Sequence, residues 1–302
     1  MKKTFRYRFS TVVLFLLAIS MLVTGCGKES SMERKKANGK VQVVASFYMM
    51  YDLAKKIGGD QVEVKNLVPA GTEPHEWEPG ARDVASLEDA DVFVYNGAEM
   101  EHWTDTILNT LDNKELAVAE ASKGVKLTGS DPHVWLAPLN AKKEMENIKD
   151  ALIKADPKHR TVYEENYKKN AEKCEKLDEL YKRTLGQIKR KEVITAHEAF
   201  GYLCRAYDLK QIGIEGIQSD SEPDAARMKE IIQFAKKHDV GTIFFEELVS
   251  PKVAEMIAKE IGAKTAVLDT LEGMSDEDQK AGADYFSVME ENLRTLKKAL
   301  DN

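Results

Sequence analysis

One stretch of the chain limits what the rest can become. From Pro157 to Leu185 there is no glycine and no second proline, although the chain holds 18 glycines and 8 prolines. Asp156-Pro157 reads as an N-cap followed by proline at the first helical position, where its missing N–H goes unnoticed. Tyr163, Tyr167, Ala171, Cys174, Leu177, Tyr181 and Leu185 then recur at helical spacing and form one apolar stripe on a segment otherwise crowded with Lys and Glu. At about 1.5 Å per residue such a helix spans roughly 40 Å, the width of a domain. It is either a charged surface helix or a rigid strut between two lobes, and the strut is the preferred reading.

Both flanks of this helix alternate strand with helix. Before it, VQVVASFYMM reads as a strand, YDLAKKIGGD as a helix closed by Gly58-Gly59, VEVKNLVP as a strand, ARDVASLEDA as a short helix and DVFVYNG as a strand. EMEHWTDTILNTLDN then reads as a helix and LAVAEA as a strand. After the strut come EVITA, the helix EAFGYLCRAYD and the extended LKQIGIEGI. A helix in SEPDAARMKEIIQFAKKHD opens with Ser221 and has Asp224 three residues on. The strand VGTIFFEEL, the helix SPKVAEMIAKEIG, the strand AKTAVLD and a last helix ADYFSVMEENLRTLKKAL complete the chain. Strands separated by helices pair in parallel, with helices on both faces. The expected fold class is therefore α/β, with two lobes, each a parallel sheet flanked by helices, joined by one long backbone helix. The expected divisions are 1–25, 26–40, 41–155, 156–186 and 187–302. No sequence repeat is strong enough to indicate duplication.

The first residues stand apart from this pattern. MKKTFRYRFS carries four positive charges, and an apolar run ending LVTGC follows, which is the pattern of a signal peptide. The small residues before Cys26 resemble a bacterial lipobox, in which that cysteine becomes the lipid-modified first residue. An ordinary signal peptide and a membrane helix are the alternatives, but the run is short for a span and a polar tether follows it. Loss of residues 1–25 with their four positive charges takes the net charge from −7 to −11. An acidic protein outside the cytoplasm is a poor partner for nucleic acid or for an anionic membrane surface, and suits a cationic ligand. Attachment to the membrane would come from lipid chains alone. Cys174 and Cys204 both fall on apolar helix stripes and read as two separate buried thiols, although an oxidising compartment permits a disulfide.

Only six histidines are present, at 75, 102, 133, 159, 197 and 238. His75 lies in GTEPHEWEPG, between Pro74 and Pro79, whose fixed φ angles stiffen the loop. His75 and His133 follow strands of the first half, and His197 and Asp269 stand at strand ends of the second. In open α/β sheets, ligands gather outside the carboxyl ends of the strands. These four positions are too far apart in sequence to meet on one helix or hairpin, so they meet only where two lobes face each other. Three neutral imidazoles and a carboxylate suit a borderline-soft divalent ion such as zinc. Each histidine alone reads better as a structural hydrogen-bonding residue, and no H-E-x-x-H, C-x-x-C or EF-hand loop is present. Glu73, Glu76 and Glu78 either draw cations to the mouth, orient ring N–H groups, or are simply solvated. His102 is a candidate auxiliary ligand at the mouth or an exposed side chain. Trp77 and Trp135 read as packing residues. His159 in the strut and His238 at a helix end are not ligand candidates.

Taken together, the lipobox cysteine, PHEWEP, DPHVWL, TAHEAFGYL, SEPDAARM, IFFEELVSPKVAEMIAKEIG and AVLDTLEG resemble the zinc/manganese solute-binding lipoproteins of ABC importers, from about Val41 to the C-terminus. The resemblance implies two lobes joined by one long helix, with metal in the cleft held by His75, His133, His197 and Asp269. It places Glu246 as an inward carboxylate beside them. It implies a membrane permease with its cytoplasmic ATPase as partner, a monomer, and no enzymatic activity. Manganese-preferring members look to carry glutamate where this chain has His197, so Zn2+ is the expected cargo, with Mn2+ kept as an alternative. The histidine-rich insertion of many zinc members is missing before His133. Two other readings compete with this one. An extracytoplasmic zinc hydrolase would need an open coordination position, with Glu76 or Glu198 as base. A surface adhesin has no direct support in the sequence.

Overall fold

The computed structural model describes residues 39–217 and 223–301. The expected signal peptide, Cys26 and Ser221 lie outside them. Four short strands, β1 (Val41–Ala45), β2 (Val62–Asn66), β3 (Val92–Tyr95) and β4 (Ala117–Glu120), form one sheet. A second sheet holds β5 (Glu192–Thr195), β6 (Lys210–Gly213), β7 (Thr242–Phe245) and β8 (Lys264–Val267). Every pairing is parallel, and the strand orders are β2-β1-β3-β4 and β6-β5-β7-β8. The two halves thus share one topology although no sequence repeat betrays it. In each sheet the order reverses beside the first strand of that half, so loops leaving the carboxyl ends diverge there and open a crevice.

In the first half, α1 (Tyr48–Gly58), α2 (Ala81–Glu88) and α3 (Thr104–Thr110) connect the strands. α4 (Pro138–Ala155) and α5 (Arg160–Leu185) lead to the second half, where α6 (Gly201–Ala206), α7 (Ala225–Lys237) and α8 (Lys252–Ile261) alternate with the strands. α9 (Asp276–Ala281) and α10 (Tyr285–Leu300) close the chain. The structure corrects several boundaries. The strand expected through Met50 stops at Ala45, and α1 begins at Tyr48. Tyr48, Met49 and Met50 are all buried, so the apolar run looks the same whether strand or helix carries it. α1 does end at the glycine pair, with Gly59 at φ 54°, where a side chain would be strained. α7 is capped by Asp224, whose carboxylate accepts from the Arg227 N–H at 2.7 Å. α9 was not anticipated.

The long helix is α5, entered through a single 3₁₀ turn at Pro157–His159. Asp156 does not cap it through a backbone N–H. Its Oδ2 instead accepts from His159 Nδ1 at 2.6 Å and from Tyr163 Oη at 2.7 Å. The stripe read from the sequence is the buried face: Tyr163, Ala171, Cys174, Leu177, Tyr181 and Leu185 are all buried. This helix joins the two lobes, as expected. Residues from both lobes and from α5 and α10 share one apolar core, whereas smaller clusters occupy the far face of each sheet. α10 belongs by sequence to the second half but also packs on the first. Tyr285 N–H donates to Asp52 of α1, Lys56 pairs with Asp284, and Tyr181 Oη donates to the Met289 carbonyl. Cys174 and Cys204 are free and buried, and burial pushes both thiols up to about 12. Among the described residues no helix is long and apolar enough to cross a membrane.

Glu144, on α4, is fully buried, and neither carboxyl oxygen has a hydrogen-bond partner among the described residues. Burial, with Glu101 adding repulsion, holds this acid well above the usual carboxylate range. The fold therefore keeps it protonated, whereas the unfolded chain releases that proton above about pH 4.3. Folding is accordingly penalised as pH rises past that point. Glu144→Met removes the penalty while conserving volume. It should raise the melting temperature at neutral pH by roughly 3–8 °C, with a smaller gain at pH 4, by differential scanning fluorimetry at both pH values.

Candidate metal centre

Three loops from strand ends and one from beyond β8 bring four side chains together. The His75 loop follows β2, and its backbone N–H donates to Glu73 Oε1 at 3.1 Å. His133 follows β4 in a turn held by Asn96, at the end of β3, whose Nδ2 donates to the Pro132 carbonyl at 3.0 Å. His197 leaves the end of β5, with its carbonyl accepting from Thr195 Oγ1. The fourth is Glu272. Trp135, fully buried, stacks edge-on behind the His133 ring with centroids 5.4 Å apart. Its Nε1 donates 2.8 Å to the Thr270 carbonyl, tying the Glu272 loop to the His133 turn across the lobes.

The donor atoms converge tightly. His75 Nε2 and His133 Nε2 are 3.2 Å apart, and Glu272 Oε1 lies 3.1 Å from the first and 2.7 Å from the second. The His197 ring centroid is 4.8 Å from that of His133 and 5.3 Å from that of His75. One ligand atom from each of these four residues falls within 4.8 Å of all the others, and all four residues are buried. His133 Nδ1 and its backbone N–H both face Asp131 Oδ1, at 3.0 and 3.1 Å, so Nδ1 carries a proton toward Asp131 and Nε2 is the ring atom turned to the cluster. His197 Nδ1 faces Glu246 Oε2 at 3.1 Å, and its Nε2 contacts the Ile217 carbonyl. Burial alone would lower all three rings. Glu272, for His75 and His133, and Glu246, for His197, outweigh it and hold them above the usual histidine value. Glu272 is only 1% exposed. Burial would raise it, but the facing imidazoles, His133 foremost, hold its carboxyl well below the ordinary range. His75, His133 and Glu272 face one another directly and His197 stands against them, so the four form a seat for a divalent cation once the rings give up their protons.

Residues 43–299 match the family model described as zinc-uptake complex component A, periplasmic (ZnuA). The chain belongs to this family. It is 42% identical over 308 residues to the high-affinity zinc uptake system protein ZnuA of Bacillus subtilis (strain 168), covering 95% of this chain and 97% of that one. It is 39% identical to the zinc-binding lipoprotein AdcA of Streptococcus pneumoniae (strain R6), covering 100% of this chain but 62% of AdcA, so it spans under two thirds of that relative. The crystal structure of the Zn(II)-bound ZnuA-like domain of the S. pneumoniae AdcA superposes with a TM-score of 0.80 at 43% identity, covering 87% of this chain and 100% of that one.

Within this ZnuA fold the expected ligands are placed unequally. His75, His133 and His197 meet at the cluster; Asp269 does not join it. Its Oδ1 accepts from the Leu271 N–H at 2.7 Å, and its backbone is clamped to Asn292 of α10 through two hydrogen bonds of 2.9 and 2.7 Å. That bond supports a turn in which Leu271, at φ 62°, adopts the left-handed region and swings Glu272 inward. Burial, opposed by the Leu271 N–H, pushes Asp269 up to about 7. Glu246 is buried at His197, as placed above. Glu76 and Glu78 are exposed, and exposed His102 lies 3.3 Å from Glu78 rather than at the cluster. Glu198 is exposed. Trp77 packs edge-on against Trp103, centroids 5.8 Å apart. His159 contacts Asp156, and His238 stacks on Phe234 at 4.2 Å. Reading the sequence missed Glu272 and Asp131; each lies within three residues of a candidate that it supports or is supported by.

Because the rings hold protons above the usual histidine value, a cation must displace them, whereas Glu272 is already ionised. Zinc affinity should therefore fall steadily as pH drops from about 8 to about 6, with at least one proton released on binding. Competitive chelator titration across that range, with pH-stat measurement of proton release, checks both.

Proposed function

We propose that this chain is the extracytoplasmic zinc-binding component of an ABC importer, which seats Zn2+ between its lobes and passes it to a membrane permease driven by a cytoplasmic ATPase. The observation that carries this reading is the buried group of His75, His133, His197 and Glu272, drawn from both halves of the chain. Four protein donors suffice to fill the tetrahedral set that zinc prefers without an added water, and a site so filled would hold metal without acting on it. That disfavours a hydrolase, as does the exposure of Glu76 and Glu198. Three imidazoles favour zinc over manganese. The ligand set is accordingly His75, His133, His197 and Glu272, with Asp269 bracing the Glu272 turn and Asp131 and Glu246 orienting rings. Exposed His102 and Glu78 stand at the mouth. Lipid attached at Cys26 would hold a monomer to the membrane, with 41–155 and 187–302 as lobes about a 156–186 linking helix.

Three substitutions separate ligand from support. Glu272→Ala and His197→Ala should each weaken zinc by roughly two orders of magnitude without loss of fold. Asp269→Asn keeps an oxygen acceptor for the Leu271 N–H and should leave affinity within a few-fold. A large loss in Asp269→Asn, with Glu272→Ala unaffected, would return Asp269 to the ligand set. The shared core and α10 also restrict opening, so apo and zinc-loaded crystals should differ by a small lobe tilt; wide hinge closure would contradict this.

A further inference from the structure

The contacts behind His133 extend across the cleft to α6. Asp131, which orients that ring, offers its second oxygen to the other lobe: Arg205 Nη2 lies 3.4 Å from Asp131 Oδ2. The Arg205 guanidinium rests 4.5 Å over the Tyr202 ring, and Tyr202 Oη accepts from the Thr128 N–H at 3.0 Å. Gly201 is the third part. A Cβ on it would fall 2.4 Å from Asp131 Oδ2 and 2.9 Å from Arg205 Nη1, inside the closest approach that real atoms make. Asp131 is buried, so it has little room to retreat. The Gly201–Tyr202–Arg205 face of α6, in the second lobe, thus grips the loop that carries His133, in the first.

The geometry points to Gly201 and Arg205 as positioning residues that set zinc affinity through Asp131 without touching the metal. The inference rests on the zinc-binding reading above and adds to it a cross-lobe support for one ligand. Partners that orient a ligating imidazole contribute about 10- to 100-fold in metal affinity. Alanine is the better helix former, so Gly201→Ala should not weaken α6 by itself; its effect is aimed at Asp131.

The test uses the soluble chain from residue 27 onward, with zinc and cobalt as the metals. Gly201→Ala should bind zinc about tenfold more weakly by competitive titration. It should also show a shifted or split cobalt d–d absorption band, with circular dichroism and apo melting temperature unchanged. Arg205→Met should do the same more mildly, and Arg205→Lys should restore part of the loss. Arg205 is partly exposed, so its variants fold even if Gly201→Ala does not. Folded Gly201→Ala and Arg205→Met proteins with parental affinity and an unchanged cobalt spectrum would overturn the proposal. Failure of the parent chain to bind zinc would overturn the zinc reading, and this inference with it.

Discussion

The indole of Trp135 holds two ends of the molecule in register. Its N–H donates to Thr270 at 2.8 Å, and its backbone carbonyl accepts from Tyr285 Oη at 2.9 Å. Through these two bonds the His133 turn, the Glu272 loop and the last helix behave as one body. A metal seat built from both lobes needs such a joint, because an error of one ångström between donors spoils tetrahedral geometry. The apolar core that runs through both lobes supports the joint from beneath. The seat is therefore formed in advance, which reduces the ordering cost of binding.

The electrostatics of the seat follow from its dryness. A carboxylate that is almost wholly excluded from water must be met by positive charge. Before loading, that charge is supplied by protons shared among His75, His133 and His197; afterwards the cation supplies it. Protons and metal thus compete for the same lone pairs, and the anionic Glu272 is compensated in either state. Asp131 and Glu246 keep the rings turned the right way meanwhile.

Much of this was legible in the sequence, for identifiable reasons. Histidine is scarce, with six in the chain, so three of them after strands stand out; acids number 51, so Glu272 does not. Asp269 reads as a strand end in the sequence and looked like the donor, but β8 stops at Val267 and the Asp269 carboxylate is consumed by a turn that no spacing rule distinguishes from a metal contact. The α5 stripe was clear because helix period persists over many turns with nothing to interrupt it. The start of α1 was not, because a segment buried on all sides carries no period. The identical strand order of the two sheets left no trace in the sequence, since parallel pairing requires buried apolar strands and not particular residues.

The placement of α10 has a bearing on how the protein matures. Asp52 and Lys56, near the beginning of the described chain, are matched by Tyr285 and Asp284, near its end. A polypeptide made from its N-terminus can fold its first sheet early, but Trp135 has no Tyr285 to bind until synthesis is nearly done. The site for the ion is thus among the last features to form, and a nascent chain cut short before α10 would emerge without a competent one.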